Sequence, residues 1–276
     1  MPAPPQESAT SLFYRNFRWL RFVDRFGRRG QGALEYLGGL SQLVAQSLVA
    51  CVTRPFYGAE ALKQMDEIGV KSVPITGITA LFTGAVLALQ TAYSLAAFGG
   101  KTFVGRVVAL SLVRELGPVL TALMVGGRVG SGITAELGSM TVTEQVDAMR
   151  AMAISPLRRL VAPRVFATVL MMPVLAGLAD VLGVLGGLLI AVVELNTTMQ
   201  DYFGSIWSQL TIADIGSGLG KTFFFGLEIA AIGCYNGLHV EGGASAVGIA
   251  TTRTVVLASI CILVSDFFLT KLFIAL

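Results

Sequence analysis

A glycine-rich segment at 216–222, GSGLGKT, comes nearest to phosphate chemistry in its residue types. A nucleotide-binding loop surrounds phosphate oxygens with successive backbone amides and needs the spacing G-x-x-x-x-G-K-[ST]. Here Ile215 stands where the first glycine of that pattern belongs, and an apolar run follows Lys221 and Thr222. The segment therefore predicts no ATP site, and any energy source must come from outside the chain.

Residues for covalent or metal chemistry are also sparse. The sequence has no HExxH or GxSxG pattern, and His239 is its only histidine. Cys51, Cys234 and Cys261 have neither CxxC nor metal-ligand spacing, which predicts buried free thiols. We expect no catalytic group, metal or cofactor in this chain.

Charged residues inside apolar stretches form a different kind of candidate site. Arg114 and Glu115 lie in the apolar run at 104–133, next to a helix kink predicted at Gly117 and Pro118. Intramembrane charges usually face a cavity or a partner, because exposure to lipid costs several kcal/mol. Adjacent residues on a helix do not face one another, so we expect the two to have different partners. Two interpretations remain open, a polar cavity lining and an ion-paired structural cluster.

The polar segment TAELGSMTVTEQVDAMRAM separates two apolar runs and has the composition of a short helix. Thr143 offers a hydroxyl for the N-cap, and Glu144 and Asp147 place acids in the first turn, where the helix dipole favours them. Ser155 and Pro156 are predicted to end this helix. It is either a plain connecting helix or a helix onto which a cytoplasmic partner docks.

The elements that position these residues are those of a membrane protein. Of 276 residues, 54% are hydrophobic and only 13% are charged, which is too little polar surface for a soluble domain of this length. Crossing roughly 30 Å of hydrocarbon takes about 20 helical residues at 1.5 Å each. Five stretches meet this length and predict transmembrane helices, at 73–98, 104–133, 165–193, 212–240 and 254–276.

The placement of lysine and arginine predicts the orientation in the membrane. The region before the first stretch and the loop between the second and third are rich in arginine, which indicates that both are cytoplasmic. The connection at 194–211 has neither residue type. Five spans then put the N-terminus inside and Leu276 outside. The net charge of +3 is too small to suggest a nucleic-acid partner.

The segment at 33–52 is mostly apolar but has a polar side. Its apolar residues recur at helical spacing, which predicts an amphipathic helix lying in the membrane interface. A sixth span here would move the arginine-rich loop outside. We therefore expect cytoplasmic and interfacial helices at 1–70 and a membrane domain at 71–276. An anchor on anionic lipid is predicted just before this helix by four arginines on one face, Arg18, Arg21, Arg25 and Arg28.

The segment at 109–165 resembles the signature stretch of the MlaE/YrbE permease family. It contains RELGP, GR-x-G-S and TEQ-x-x-AM in order at the expected separations. ATTRTVV at 250–256 resembles the family's last cytoplasmic loop, and the likeness extends from roughly the interfacial helix to the C-terminus. At Ala153, where many relatives have glycine, this chain departs from the pattern.

The resemblance implies a homodimeric permease of an ABC transporter, with an interfacial helix, five spans and a cytoplasmic coupling helix between the second and third. It also implies cytoplasmic ATPase subunits that use the ATP, a periplasmic MCE-domain protein, and a place in the bacterial inner membrane. Its cargo would be phospholipids or other hydrophobic molecules moved between the inner and outer membranes. By position, the coupling helix contains Glu144, Gln145, Asp147, Ala148 and Met149. The family's lipid cavity corresponds to Leu87, Tyr93, Leu95, Phe98, Arg114 and Glu115.

Two other classes of protein remain open on the residues alone. A gradient-driven secondary transporter would use Glu228 and Asp266, but the spans show no internal duplication, which many such folds have. A membrane-embedded lipid-modifying enzyme would need a nucleophile, base or metal set, and none is recognisable. Asp180 is a further lone acid in an apolar run, without an assigned role.

Overall fold

The computed structural model describes residues 18–53, 57–96 and 103–275, with side chains for all of these except 18–30, 33 and 96. This part of the chain is helical and contains no β-strand. A 3₁₀ turn covers Val70–Ser72, and π-helical turns cover Leu112–Leu116, Gly126–Gly130 and Leu157–Val161. The α-helices are Arg18–Val52, Gly58–Ile68, Val73–Ala96, Val104–Ser111, Gly117–Val125, Ser131–Val142, Gln145–Ala151, Ala162–Val193, Met199–Trp207, Ile212–Leu238 and Ala244–Ala275.

Five helical segments in the described ranges are long and apolar enough to cross a membrane. This agrees with the number of spans predicted from the sequence. We number them spans 1 to 5 in chain order: Gly58–Leu95, Val104–Val142, Leu157–Val193, Ile212–Leu238 and Ala244–Ala275.

The chain divides into two compact units, at 1–43 and 44–276. The first is described only as the beginning of the helix Arg18–Val52, and the arginines predicted as an anchor lie where side chains are not described. In the second unit, Ser47 is buried and donates to the carbonyl of Val44, while Leu48 is exposed. The interfacial position of this helix and the predicted domain boundary at 70/71 stay predictions.

Spans 3 and 4 form the centre of the second unit. Span 3 packs along spans 1 and 4, and span 4 also contacts spans 2 and 5. Glycine brings spans 1 and 3 together, because a Cβ built on Gly84 would overlap the carbonyl of Gly183, and one on Gly186 would overlap that of Leu81. Small residues at such positions let membrane helices approach closely.

The π-helical turns carry five of the charged residues of spans 2 and 3. Arg114 and Glu115 lie in the first turn, Arg128 in the second, and Arg158 and Arg159 in the third. A π turn adds a residue to the helical turn and is frequent at functional sites. These turns set the direction in which the charged side chains project from the helix.

The short helix Met199–Trp207 holds the connection between spans 3 and 4 against the bundle. Thr198 caps it, because its hydroxyl accepts from the backbone N of Asp201. Tyr202 is 1% exposed, and its hydroxyl donates to the carbonyl of Val184 at 3.1 Å. Burial raises the pKa of the Tyr202 hydroxyl. This tyrosine therefore remains a neutral hydrogen-bond donor that pins the connection to span 3.

Candidate functional site

A lysine side chain is buried where spans 2, 4 and 5 meet. The side chain of Lys221 is only 2% exposed, and an unpaired ammonium in a membrane would cost several kcal/mol. Its Nζ lies 2.7 Å from Oε2 of Glu115 in span 2 and 3.2 Å from Oδ1 of Asp266 in span 5. It also donates to Oγ1 of Thr270 at 2.6 Å. We call these four residues the Lys221 cluster, and its cation ties three spans together.

The proline in span 2 supplies one more acceptor to the same ammonium. Pro118 has no N–H, so the carbonyl of Arg114, four residues earlier, loses its usual helical donor. Nζ of Lys221 lies 3.2 Å from that carbonyl oxygen. The lysine therefore satisfies a backbone acceptor that no water would reach inside lipid.

Arg114 has a different partner from its neighbour Glu115. Its Nε lies 2.7 Å from Oδ1 of Asp214, at the start of span 4. Asp214 also caps that span, since its Oδ2 accepts from the backbone N of Thr211 at 2.8 Å and the hydroxyl of Thr211 accepts from the backbone N of Asp214 at 3.3 Å. The prediction that Arg114 and Glu115 have separate partners is confirmed.

The two charged groups border one cavity of about 480 Å³. This volume lies within the range of small-molecule pockets, roughly 300–1,000 Å³. Both signs of charge adjoin apolar side chains, so the wall suits an amphiphile with a polar headgroup. No nucleophile paired with a base is among the described lining residues, which include Arg114, Glu115, Asp214, Lys221, Phe273 and Ile274.

The predicted cavity residues of span 1 that the structure describes line other surfaces. Leu87 borders a separate groove of about 470 Å³ along span 1. Leu87 and Leu95 pack against an apolar cluster that includes Ala88 and Val108. Tyr93 is 80% exposed, and Phe98 lies outside the described residues. The assignment of these four residues to a lipid cavity stays a prediction.

Sequence reasoning missed Asp214, Lys221 and Thr270 as site residues and left Asp266 as a lone acid. The description of Asp266 as lone is wrong, because Lys221 contacts it. The signal for Lys221 was the same as for Arg114, an ionisable residue within an apolar span. No signal in the sequence identifies Thr270, whose hydroxyl matters only through its position beside the lysine.

The glycine-rich segment that contains Lys221 lies within the continuous helix Ile212–Leu238. Amides in a helix point along its axis to carbonyl acceptors, whereas a phosphate-binding loop turns them toward one concavity. The helical conformation thus excludes the loop geometry of a nucleotide-binding motif at 216–222.

Two other acids inside the spans lie apart from the cluster. Glu228 accepts a hydrogen bond from Oγ of Ser265 at 3.0 Å. Asp180 is 8% exposed and lies against Gly117, and its Oδ1 has no hydrogen-bond partner among the described residues. Asp180 also borders an apolar cavity of about 300 Å³. Neither acid contacts the Lys221 cluster.

The loop helix Gln145–Ala151 connects spans 2 and 3. The predicted N-cap at Thr143 is wrong, because Thr143 ends the preceding helix and its hydroxyl donates to the carbonyl of Ser139 at 2.8 Å. A threonine hydroxyl can bond back to the carbonyl four residues earlier, and here that bond replaces capping. Glu144 takes the N-cap position instead, in a left-handed conformation with φ 60°.

The predicted coupling residues lie on and beside this helix. Val146 is 2% exposed and anchors the helix to the bundle. Asp147 pairs with Arg150 at 2.8 Å on the exposed side. The helix therefore presents a polar outward surface that includes the exposed Glu144, Gln145, Asp147 and Ala148 and the half-buried Met149.

The loop helix ends before the residues predicted to stop it. Ala153 has φ 58° and donates to the carbonyl of Arg150, and Ile154 donates to that of Met149. These two bonds and the left-handed residue form a Schellman cap, which ends the helix. The predicted stop at Pro156 is therefore wrong. Pro156 instead precedes the turn Leu157–Val161, which begins span 3.

The cysteines and the histidine lie in ordinary packing positions. Cys234 is buried, Cys51 and Cys261 are half-buried, and all three are free thiols. Burial raises the pKa of the Cys51 thiol. The ring of His239 stacks on Tyr235, with centroids 4.2 Å apart. Within the described ranges, no group of three or more His, Cys, Asp or Glu residues is placed to hold a metal ion.

Comparison with known proteins gives consistent similarities. The family described as Permease MlaE matches residues 61–272. A probable ABC transporter permease protein of Rickettsia bellii is 41% identical over 254 residues, which cover 92% of this chain and 98% of that protein. The intermembrane phospholipid transport system permease protein MlaE of Haemophilus influenzae is 43% identical over 216 residues, 76% of this chain and 81% of that protein. The chloroplastic protein TRIGALACTOSYLDIACYLGLYCEROL 1 of Arabidopsis thaliana is 32% identical over 231 residues, 84% of this chain and 66% of that protein.

Proposed function

The chain belongs to the MlaE permease family, which makes it the permease subunit of an ABC transporter, and we propose that its cargo is phospholipid moved between the inner and outer membranes. The observation that carries the choice of cargo is the cavity of about 480 Å³, where paired charges adjoin apolar side chains. A phospholipid has the same division between a charged headgroup and acyl chains. The name of the Haemophilus influenzae relative, which refers to phospholipid transport, supports the same cargo.

Arg114 and Lys221 have different tasks in this proposal. The side chain of Arg114 is 55% exposed while that of its partner Asp214 is 7% exposed, so the guanidinium is held on one side and keeps donors for a phosphate on the other. Lys221 is buried and committed to Glu115, Asp266, Thr270 and a backbone carbonyl. Arg114 contacts the headgroup, and Lys221 keeps spans 2, 4 and 5 in register around it.

ATP hydrolysis takes place in separate cytoplasmic subunits, and this chain is not an enzyme and needs no cofactor of its own. The loop helix Gln145–Ala151 is the coupling helix that contacts the ATPase. Its polar exposed side, with Glu144, Gln145 and Asp147, supports a docking role, and Val146 gives it a firm attachment to the bundle.

The finer architecture belongs to the same proposal. The permease is a homodimer in the bacterial inner membrane, contacts a periplasmic MCE-domain protein, and has a cytoplasmic N-terminus, an interfacial first helix and a periplasmic Leu276. Arg158 and Arg159 are exposed at the start of span 3, which supports the cytoplasmic side for the loop before it. Span 5 is the least buried of the five spans, which supports a second copy packed beside it.

The gradient-driven alternative is not favoured. The family consists of ABC permeases, and the two candidate proton carriers are engaged in other contacts. Asp266 is ion-paired with Lys221, and Glu228 accepts from Ser265.

Photo-crosslinking in the assembled transporter tests the proposal. A photoreactive residue at Phe273, in the cavity wall, should capture phospholipid, and the yield should change when the co-purified ATPase is given ATP. A matched probe at Val174, an exposed apolar residue in the middle of span 3, should capture bulk lipid regardless of ATP. Absence of a co-purifying ATPase, or an adduct at Phe273 that does not respond to ATP, would refute this function.

A further inference from the structure

A second polar pocket lies between the start of span 1 and the later part of span 2. We propose that it binds the phosphate of a zwitterionic phospholipid headgroup from the adjacent leaflet, and this inference rests on the proposed function. The pocket has a volume of about 240 Å³. The lining residues that carry the argument are Gln64, Glu67, Lys71, Arg128 and Glu136.

Arg128 supplies the cation of this pocket. Its Nη1 donates to Oγ of Ser72 at 2.7 Å and to the backbone carbonyl of Glu67 at 3.3 Å. Ser72 is itself fully buried and donates onward to the carbonyl of Ile68, so the contact that holds the guanidinium is fixed. Neither contact neutralises the charge, and Arg128 forms no ion pair with any carboxylate in the described ranges. Its Nε and Nη2 donors remain available for an anion.

The carboxylates of the pocket are already paired with other cations. Glu67 lies 2.6 Å from Nζ of Lys71, and Glu136 lies 2.7 Å from Nη2 of Arg164, whose side chain is 2% exposed. Lys71, Arg128 and Arg164 together outnumber Glu67 and Glu136 by one positive charge. Of these three cations, Arg128 is the one without an ion pair among the described residues, and a planar guanidinium with free donors suits the paired oxygens of a phosphate.

Gln64 adds an independent reason to expect a ligand. The residue is only 4% exposed and borders the pocket, yet its side-chain amide makes no hydrogen bond with any residue that the structure describes. Its amide atoms are not among the fully buried atoms that lack a partner, so they are accessible from the pocket and free to bind what occupies it. Its NH₂ group is a second donor in the lining of the pocket, contributed by span 1 where Arg128 comes from span 2.

The position of the pocket selects a lipid as the source of the phosphate. It lies where the uncharged stretch of span 1 begins at Val73, which is the depth of the headgroups at one surface of the membrane. In the proposed orientation this is the cytoplasmic leaflet. Arg128 follows Arg114 by 14 residues, about 21 Å of helix, so the pocket is separate from the cavity at the Lys221 cluster. The carboxylates of Glu67 and Glu136 are each about half exposed. Because a carboxylate attracts a cation, they favour a headgroup that also carries an ammonium.

Native mass spectrometry of the full transporter, in nanodiscs containing phosphatidylethanolamine and phosphatidylglycerol, tests this site. Arg128→Gln removes a charge-assisted hydrogen bond to the phosphate, and Gln64→Leu removes a neutral donor. Each change should weaken the retention of one phosphatidylethanolamine per permease chain by roughly tenfold. Arg158→Gln, at an exposed arginine outside the pocket, is the matched control and should retain the lipid. Arg128→Lys should restore part of the retention.

The outcomes separate this inference from the proposed function. Unchanged lipid retention in Arg128→Gln, with an ATPase still bound, overturns the pocket assignment and leaves the transport function standing. Loss of the ATPase from the unmodified complex contradicts the transport function, whereas the lipid count still reports on the pocket. Millimolar inorganic phosphate that displaces the retained lipid completely would identify free phosphate as the ligand and overturn the lipid assignment. Circular dichroism that shows intact helices in Gln64→Leu excludes unfolding as the cause of a loss.

Discussion

At the scale of single residues, Lys221 shows what an apolar bundle requires of a buried charge. Taking an ammonium out of water is tolerated only when opposite charges and hydrogen bonds replace the water. Glu115, Asp266 and Thr270 supply them from spans 2 and 5. Because the partners come from different spans, the same contacts that stabilise the charge also select which spans pack together.

We expect Lys221→Met to lower the free energy of unfolding by about 3–5 kcal/mol, since the change leaves two carboxylates without their cation. Lys271→Met is the matched control, because Lys271 is exposed in span 5 and forms no ion pair with another described residue. That change should stay within about 0.5 kcal/mol. Thermal unfolding in detergent compares the two variants, and equal midpoints would contradict the importance of the cluster.

The charged residues also show how far the sequence predicts a site. Helix geometry is local, and it correctly predicts separate partners for Arg114 and Glu115. The identity of those partners is not local, because Asp214 and Lys221 lie 100 and 106 residues further along the chain. Only the packing of span 4 on span 2 brings these partners to Arg114 and Glu115, and no sequence pattern within span 2 indicates that packing.

Ala153 is held in the left-handed region with φ 58°, where a Cβ costs roughly 1–2 kcal/mol. We therefore expect Ala153→Gly to stabilise the end of the loop helix by about 1 kcal/mol. Ala148→Gly, in the middle of the same helix, should destabilise it by about 1 kcal/mol. Hydrogen exchange of the amides of Gln145–Ala151 measures both effects, and faster exchange in Ala153→Gly would show that the alanine is not strained.

At the scale of elements, the five spans were predictable in number but less so in their ends. The structure extends span 2 to Val142 and begins span 3 at Leu157, beyond the predicted 104–133 and 165–193. The prediction counted only residues able to lie in hydrocarbon. Polar residues such as Glu136 and Arg159 continue the helices outside that layer, because a helix needs no apolar surroundings once it has begun.

The contact between spans 1 and 3 depends on glycine. A Cβ on Gly84 would overlap the backbone of Gly183, so we expect Gly84→Ala to separate the spans and to destabilise the protein by about 1–3 kcal/mol. Gly248→Ala is the control, because a Cβ there meets nothing within 4 Å and alanine is the better helix former. It should raise stability slightly. Thermal unfolding of both variants decides, and a neutral result for Gly84→Ala would show that the spans can part at little cost.

At the scale of the whole molecule, span 2 connects the three sites. It carries Arg114 beside the cavity, Arg128 beside the headgroup pocket, and it ends next to Glu144 at the loop helix. Span 2 runs 28 residues from Arg114 to its end at Val142, about 42 Å of helix. Two π-helical turns interrupt this span, at Leu112–Leu116 and Gly126–Gly130, and both lie at sites that bear charge. A displacement of the loop helix therefore has a continuous element through which to reach the cavity.

If the loop helix transmits the conformational change of the ATPase to the permease, charge reversal on its exposed side should separate the ATPase from the permease. Glu144→Lys combined with Asp147→Lys places two new cations beside Arg150, and like charges at a docking surface cost several kcal/mol. The variant should insert and keep its lipid, because Val146 still anchors the helix, but it should lose the ATPase on purification. Glu194→Lys, an exposed acid at the other end of span 3, is the control and should retain the ATPase. A doubly reversed variant that keeps both the ATPase and full lipid transport would leave Gln145–Ala151 as an ordinary connecting helix.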